Sequence, residues 1–119
     1  MSELDELRIR LREFADERCW DQFHSPKNLV MALCGEVGEL VEVFQWLSIE
    51  DSMPENLCTK DIARCKEEIA DILIYLVRLA DKLKIDPVSE SMAKIAINKE
   101  RYPVSLSKGN AVKYNLRDD

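Results

Sequence analysis

Apolar residues recur at spacings of three and four in four stretches of the chain, a pattern typical of amphipathic α-helices. These stretches are residues 3–18, 25–47, 59–84 and 86–102. The second and fourth begin with a capping residue followed by proline, which is a helix start signal. No stretch alternates as a strand does, so the sequence predicts an all-α fold, a four-helix bundle.

The remaining segments are short and polar. Residues 48–57, SIEDSMPENL, separate the second and third helices and are expected to form a mobile loop. Residues 104–119 show little periodicity and are expected to form an irregular, partly ordered tail. A chain of 119 residues is long enough for one core, so we expect a single domain over residues 1–119.

Charge separates the body of the chain from its C-terminal end. The net charge of −6 argues against a nucleic-acid partner. Residues 94–119 contain six basic and three acidic residues, so this segment is positive, and it is either an anion-binding region or a solvated basic tail.

Several classes of protein are disfavoured. The acidic start MSELDELRIR lacks the apolar region of a signal peptide, and no run of about 18 apolar residues is present, so we expect a cytoplasmic protein with no membrane partner. Zinc binding is poorly supported because one histidine and no C-x-x-C spacing are present. The cysteines are therefore predicted to be buried reduced thiols: Cys19, Cys34, Cys58 and Cys65.

Two carboxylates accompany the apolar face of the second helix. On a helical wheel Glu36 falls inside the apolar arc and Glu39 at its edge, whereas Glu42 lies on the polar side. Gly35 and Gly38 interrupt the same stretch, and we expect that another helix or subunit approaches closely there.

The third helix repeats this arrangement with Glu68 and Asp71 at the edge of its apolar face. If the two helices pack antiparallel through these faces, Glu36, Glu39, Glu68 and Asp71 converge near the core boundary. Buried carboxylates need a compensating cation, and oxygen ligands suit Mg²⁺, with Mn²⁺ as a possible substitute.

These acids have two alternative explanations. Each acid can pair with a cation on a neighbouring turn, for which Lys27, Arg64 and Arg78 are available. A di-iron site requires Glu-x-x-His motifs, and the one histidine, His24, lies outside both helices. The chain also lacks G-x-x-x-x-G-K-[ST] and G-x-G-x-x-G loops, so the pattern favours phosphoanhydride chemistry at a carboxylate-held metal.

Four segments of the chain resemble the MazG-like all-α nucleoside triphosphate pyrophosphatases. The resemblance is strongest to the dCTP pyrophosphatase branch of this superfamily. The segments are WDQFHSPKNL, GEVGELVEVFQW, EEIADILIYLVRLA and KIAINKERYP. Within them Glu36-x-x-Glu39 is followed after 28 residues by Glu68-x-x-Asp71, which is similar to the family's metal-binding motif. Glu67 is also one turn from Asp71, but the motif favours Glu68.

The resemblance implies an enzyme that hydrolyses nucleoside triphosphates to the monophosphate and pyrophosphate with Mg²⁺, and so cleans the nucleotide pool. It implies that dCTP or a modified dCTP is preferred and that Glu36, Glu39, Glu68 and Asp71 hold the metal and are catalytic. It also implies a homodimer or homotetramer with sites between subunits.

The resemblance further assigns residues to the nucleotide. The implied substrate-binding residues are Trp20, Asp21, Gln22, Phe23, His24, Trp46, Tyr75, Lys94 and Asn98. Trp46 falls beside Glu39 on the wheel and is expected to stack on the base, and Lys94 and Asn98 share one face of the fourth helix. Leu11 stands where some relatives place a histidine, which leaves the base preference open.

Three functions therefore compete. The first is a dNTP pyrophosphatase that prefers dCTP. The second is a dUTP or phosphoribosyl-ATP hydrolase of the same superfamily, which the WDQFH and FQW segments disfavour. The third is a helical module that binds nucleotides without turnover.

Overall fold

The fold is all-α. The computed structural model describes residues 1–117, and no strand occurs within them. The helices are α1 (Glu3–Glu17), α2 (Pro26–Phe44), α3 (Thr59–Lys82), α4 (Pro87–Arg101) and the short α5 (Val104–Ser107). Single 3₁₀ turns lie at Asp21–Phe23 and Tyr114–Leu116. Four substantial helices confirm the predicted fold class, and the tail contains more helix than the sequence indicates.

Side-chain caps fix three of the helix starts. The Ser2 hydroxyl accepts a hydrogen bond from the Asp5 amide at 3.1 Å, and the Asp5 carboxylate accepts one in return from the Ser2 amide. Ser25 accepts from the Asn28 amide at 3.1 Å, and Asp86 caps α4. Such caps satisfy amides that have no partner inside the helix. The predicted starts of α2 and α4 are thereby confirmed.

The C-terminal ends of the helices depart from the prediction. α2 ends at Phe44 rather than near Leu47, because the Leu47 amide donates to the Phe44 carbonyl at 2.9 Å in a tighter turn. Trp46 is therefore outside the helix, and its position on the α2 wheel does not apply. The connection that follows is built from turns, with the Ser52 amide donating to the Ser48 carbonyl at 3.0 Å; its mobility stays a prediction.

Helices α1 and α3 end in left-handed caps. Cys19 and Lys84 have φ values of 55° and 57°, and the amide of the next residue in each case donates to a carbonyl five residues back. This bond is the Schellman motif, which satisfies carbonyls left free at a helix end. At α1 it links the Trp20 amide to the Ala15 carbonyl at 2.9 Å and so fixes the backbone of Trp20 against the helix.

The described chain forms two compact units, the first being Met1–Ile85 and the second beginning at Asp86. In the first unit α2 and α1 both pack against α3. Its buried apolar residues are Ala15, Leu29, Val43, Val77 and Ala80. In the second unit the Tyr102 and Tyr114 rings meet edge to face at 5.9 Å, which ties the tail to the end of α4. The single-domain prediction is not tested by this division.

Several large apolar side chains of the first unit remain exposed. Side chains that are 42–57% exposed include Val37, Val41, Ile69, Leu73 and Leu76, all on α2 or α3. Scattered exposed apolar residues are ordinary, but several on two packed helices mark a surface that favours burial.

The predicted burial of the cysteines needs correction, and the close approach expected at the glycines is not made by a helix of this chain. The cysteines are free, as predicted, but they are not buried: Cys19, Cys34 and Cys58 are exposed and Cys65 is half-buried. Cys19 and Cys58 flank helices rather than pack inside them. No described atom lies within 4 Å of a Cβ built on Gly35 or Gly38, so no other helix of this chain approaches them closely.

None of the described helices is both long and apolar enough to cross a membrane.

Candidate functional site

Three glutamates meet where α2 packs on α3. Glu36 and Glu39 lie one turn apart on α2 and Glu68 lies on α3, and one carboxylate oxygen of each lies within 4.8 Å of the others. Glu68 is only 7% exposed, Glu36 is half-buried and Glu39 is exposed. Glu67, by contrast, is exposed, in keeping with the choice of Glu68 over its neighbour. We call Glu36, Glu39 and Glu68 the acid cluster.

The acid cluster is electrostatically unsatisfied. The neighbouring carboxyl of Glu36, burial, and the carboxyl of Glu39 together raise the pKa of Glu68 to about 7. One oxygen of Glu36 and one of Glu68 are buried and have no hydrogen-bond partner within residues 1–117. Buried carboxylate oxygens without donors are costly, so a cation bound between them would stabilise the arrangement.

Neighbouring arginine and lysine side chains do not neutralise the carboxylates of the acid cluster. Arg64 contacts the main-chain oxygen of Glu39 at 3.4 Å and the carboxylate of Glu42 at 3.5 Å, but no carboxylate of the acid cluster. Arg78 pairs with Asp21 and Asp81 instead. No ion pair in the described part of the chain involves Lys27 or a carboxylate of the acid cluster. The alternative of local neutralisation is therefore not supported.

The donor set fits a hard divalent cation. Such ions bind oxygen ligands, and carboxylates from two packed helices provide them without rearrangement of the backbone. The acid cluster can therefore hold a metal ion. It contains no imidazole, which is the ligand that a di-iron carboxylate site adds to its glutamates.

Asp71 lies outside the acid cluster. It follows Glu68 by one turn of α3, but its carboxylate is not among the three oxygens that converge. It lines instead a cavity of about 390 Å³ in the first unit. Its predicted role as a fourth metal ligand stays a prediction.

This cavity, which we call the aromatic pocket, lies between α1, α3 and the segment after α1. Its lining includes Leu11, Phe14, Trp20, His24, Asp71 and Tyr75. The Trp20 ring meets the Phe14 ring edge to face at 5.6 Å and the His24 ring at 6.4 Å. A concave, mostly apolar cavity with a few polar groups is typical of small-molecule sites. Leu11, the departure noted in the sequence, faces this space.

A polar network supports one wall of the aromatic pocket. Arg78, which is 4% exposed, donates from Nη2 to Asp21 at 2.9 Å and from Nε to Nδ1 of His24 at 3.2 Å. Asp81 pairs with Arg78 at 3.6 Å and accepts two hydrogen bonds from Arg12, at 2.5 and 2.6 Å. Lys82 also bonds Asp21. Sequence reasoning placed Asp21 and His24 at the site but missed Arg12, Asp81 and this role of Arg78.

The other predicted residues are dispersed. Gln22 donates to the Cys19 carbonyl at 2.8 Å, so its amide serves the turn after α1. The side chains of Phe23 and Trp46 are 60% and 88% exposed, and neither lines the aromatic pocket. Lys94 and Asn98 lie one turn apart on α4, in the second unit. Their contacts with a nucleotide stay predictions.

Comparison with known proteins agrees with this architecture. Residues 31–116, which include the whole acid cluster, match the MazG-like family. The chain belongs to the MazG-like family. The match covers most of α2 and all of α3 and α4, but it leaves out α1 and the segment that carries Trp20.

Individual members resemble the chain over most of its length. It is 48% identical over 111 residues to dCTP pyrophosphatase 1 of Bos taurus and 43% identical to that of Homo sapiens, each time over 93% of this chain. The chain spans 66% of the bovine protein and 65% of the human protein, so about a third of each has no counterpart in the alignment. A pyrophosphatase of known structure from Archaeoglobus fulgidus has a TM-score of 0.79 and 41% identity, over 87% of this chain and 94% of that one.

Proposed function

We propose that this MazG-like protein is a nucleoside triphosphate pyrophosphohydrolase that converts dCTP, or a modified dCTP, to the monophosphate and pyrophosphate. The observation that carries the proposal is the acid cluster joined by α3 to the aromatic pocket. Glu68 belongs to the acid cluster, and Asp71 and Tyr75 line the aromatic pocket. Tyr75 follows Glu68 by seven residues on the same helix. A triphosphate and a nucleobase require sites of these two kinds in adjacent positions. The similarity to two dCTP pyrophosphatases supports this choice of substrate.

Mg²⁺ is the proposed metal, with Mn²⁺ as a substitute. Glu36, Glu39 and Glu68 hold it, and Asp71 is the proposed fourth ligand. When bound, such an ion neutralises phosphate charge and orients water for attack at phosphorus. With no histidine in the acid cluster, one of its carboxylates accepts the proton of the attacking water.

The aromatic pocket is the proposed base site. Trp20 and Tyr75 offer ring faces for stacking, while His24 offers hydrogen-bonding groups. Stacking on aromatic rings holds a base, and polar groups at its edge decide which base is accepted. Asp21 acts through its bonds to Arg78 and Lys82, which fix the segment that carries Trp20 and His24.

We further propose that the working form is a homodimer or homotetramer. The uncovered apolar side chains of α2 and α3 supply the surface that a second copy would bury. The exposed ring of Trp46 is then free to cover a nucleotide held by another copy, and Gly35 and Gly38 are open to a close approach by it. Lys94 and Asn98 are the proposed contacts to phosphate and sugar.

The decisive experiment is to measure pyrophosphate release from a panel of nucleotides with and without Mg²⁺. We expect dCTP and its modified forms to be the best substrates. Glu39→Gln should abolish release without loss of structure, and Glu42→Gln is the matched control, because Glu42 is exposed and outside the acid cluster. Retained activity in Glu39→Gln refutes the assigned site.

Two other functions give different results in the same experiment. A dUTP or phosphoribosyl-ATP hydrolase would turn over that nucleotide faster than dCTP. A non-catalytic module would bind nucleotide with Mg²⁺ but release no pyrophosphate.

A further inference from the structure

Arg78 is the most deeply buried cation of the first unit, and it lies behind the aromatic pocket rather than in it. Its exposed fraction is 4%, and its contacts are Asp21, His24 and Asp81. A buried guanidinium is costly unless it is paired, and this one donates hydrogen bonds to Asp21 and His24 and forms an ion pair with Asp81. Two of these partners are carboxylates that balance its charge. The third is a neutral ring that carries no charge to balance, which calls for a different explanation.

The bond to His24 defines the protonation of that ring. Arginine Nε always carries a hydrogen, so Nδ1 of His24, at 3.2 Å, must be the acceptor. A neutral imidazole with an unprotonated Nδ1 carries its proton on Nε2. Burial, then the charges of Arg78 and Lys82, lower the pKa of His24, while Asp21 opposes them in part. At neutral pH the ring therefore offers one N–H donor, at Nε2.

The donor is held in a fixed orientation. Arg78 cannot turn away from His24 without breaking its bond to Asp21, and Asp81 holds the same guanidinium from the other side. Arg12 of α1 in turn fixes Asp81 with two hydrogen bonds. Residues of α1, of α3 and of the segment after α1 therefore fix the orientation of the His24 ring. Nε2 itself forms no hydrogen bond with residues 1–117, although His24 lines the aromatic pocket.

We propose that Arg78 is a positioning residue that determines base selection, by presenting Nε2–H of His24 as a donor to the base in the aromatic pocket. The proposal rests on the nucleotide pyrophosphohydrolase function argued above. In cytosine N3 is an acceptor, whereas in uracil N3 carries a hydrogen. A fixed donor that faces this edge therefore favours cytosine over uracil, and a ring free to rotate or change tautomer loses that preference.

The first test observes the ring directly. His24 is the one histidine in the sequence, so a protein without a histidine tag gives a single set of imidazole ¹⁵N signals. We expect Nδ1 to be unprotonated and Nε2 protonated at neutral pH, because Nδ1 accepts the hydrogen bond from Arg78. In Arg78→Met the pKa of the ring should rise, because the charge of Arg78 is gone, and the ring should exchange between tautomers. Arg64→Gln removes an arginine that lies outside this network and should leave the signals unchanged. Protonated Nδ1 in the wild type overturns the proposal whether or not the variant folds.

The second test connects the ring to selectivity. The ratio of kcat/KM for dCTP to that for dUTP should fall about five- to tenfold in Arg78→Met, the value of one hydrogen bond. His24→Phe should give a similar fall, and the double variant no further fall, because Arg78 acts through His24. An undiminished ratio in folded Arg78→Met, or additive losses in the double variant, contradicts the proposal. Absence of turnover by the wild type refutes the enzymatic function instead, and leaves the ¹⁵N result to decide on the Arg78–His24 bond.

Discussion

Metal binding at the acid cluster should displace a proton from Glu68, in an amount set by pH. A metal-bound carboxylate is ionised, whereas the pKa of Glu68 in the metal-free protein is raised to about 7 by Glu36, burial and Glu39. The protonated fraction, and hence the number of protons released per ion, is then about 0.9 at pH 6, about 0.5 at pH 7 and about 0.1 at pH 8. Below pH 7 the apparent affinity for the metal should fall by about tenfold per pH unit.

Isothermal titration calorimetry measures this release. Mg²⁺ is titrated into the protein in buffers that differ in their heat of ionisation, and the slope of the observed enthalpy against that heat gives the number of protons. Glu68→Gln should abolish the pH-dependent release, and Glu42→Gln should preserve it, since Glu42 lies outside the acid cluster. A slope near zero at both pH 6 and pH 7 would show that the three carboxyls do not share a proton.

Three further predictions follow from burial and charge. Gly38→Ala should raise the free energy of unfolding of the isolated chain by about 0.5–1 kcal/mol, because the added Cβ meets open space within the chain; a decrease in denaturation experiments would mean that another copy closes on this position. Trp46→Ala should leave that free energy within about 0.5 kcal/mol, since the ring is 88% exposed, yet raise KM for dCTP at least about fivefold if the ring stacks on the base. Arg12, then other nearby arginines, lower the pKa of Asp81, so this carboxylate stabilises the fold above pH 4 and the stabilisation is lost as the pH falls below that value. Urea unfolding should therefore show a deficit in Asp81→Asn at pH 7 that shrinks at pH 3, and an equal deficit at both pH values contradicts this assignment.

The sequence predicted best what depends on helical periodicity. Glu36, Glu39 and Glu68 could be placed on adjoining helix faces because residues three or four apart share a face and apolar faces pack together. Their convergence within 4.8 Å matches that expectation. Asp71 was expected beside these three carboxylates but lies outside the acid cluster. A helical wheel gives the direction of a side chain around the helix axis, but not how far one helix is shifted along its neighbour.

Contacts between distant residues could not be predicted. Arg78 and His24 are 54 residues apart, and neither the spacing nor the composition of the chain indicates that they bond. Trp46 was placed on α2 because the apolar pattern continues to Leu47, whereas main-chain turns end the helix at Phe44. The cysteines were predicted to be buried from their usual preference for protein interiors. In this chain three of the four cysteines lie at helix ends or on exposed helix faces, so they are not buried.

The register of α3 has a consequence for how selectivity can change. Glu68, Asp71, Tyr75 and Arg78 follow one another at intervals of three and four, so they lie in a row along a single helix. Seven residues of helix separate Glu68 from Tyr75, an axial rise of about 10 Å that no side-chain substitution alters. If the acid cluster holds the phosphates and the aromatic pocket holds the base, as proposed, backbone geometry sets the distance between these two ends of a substrate. New base preferences would then arise by exchange of single side chains in the aromatic pocket while the spacing to the acid cluster stays constant.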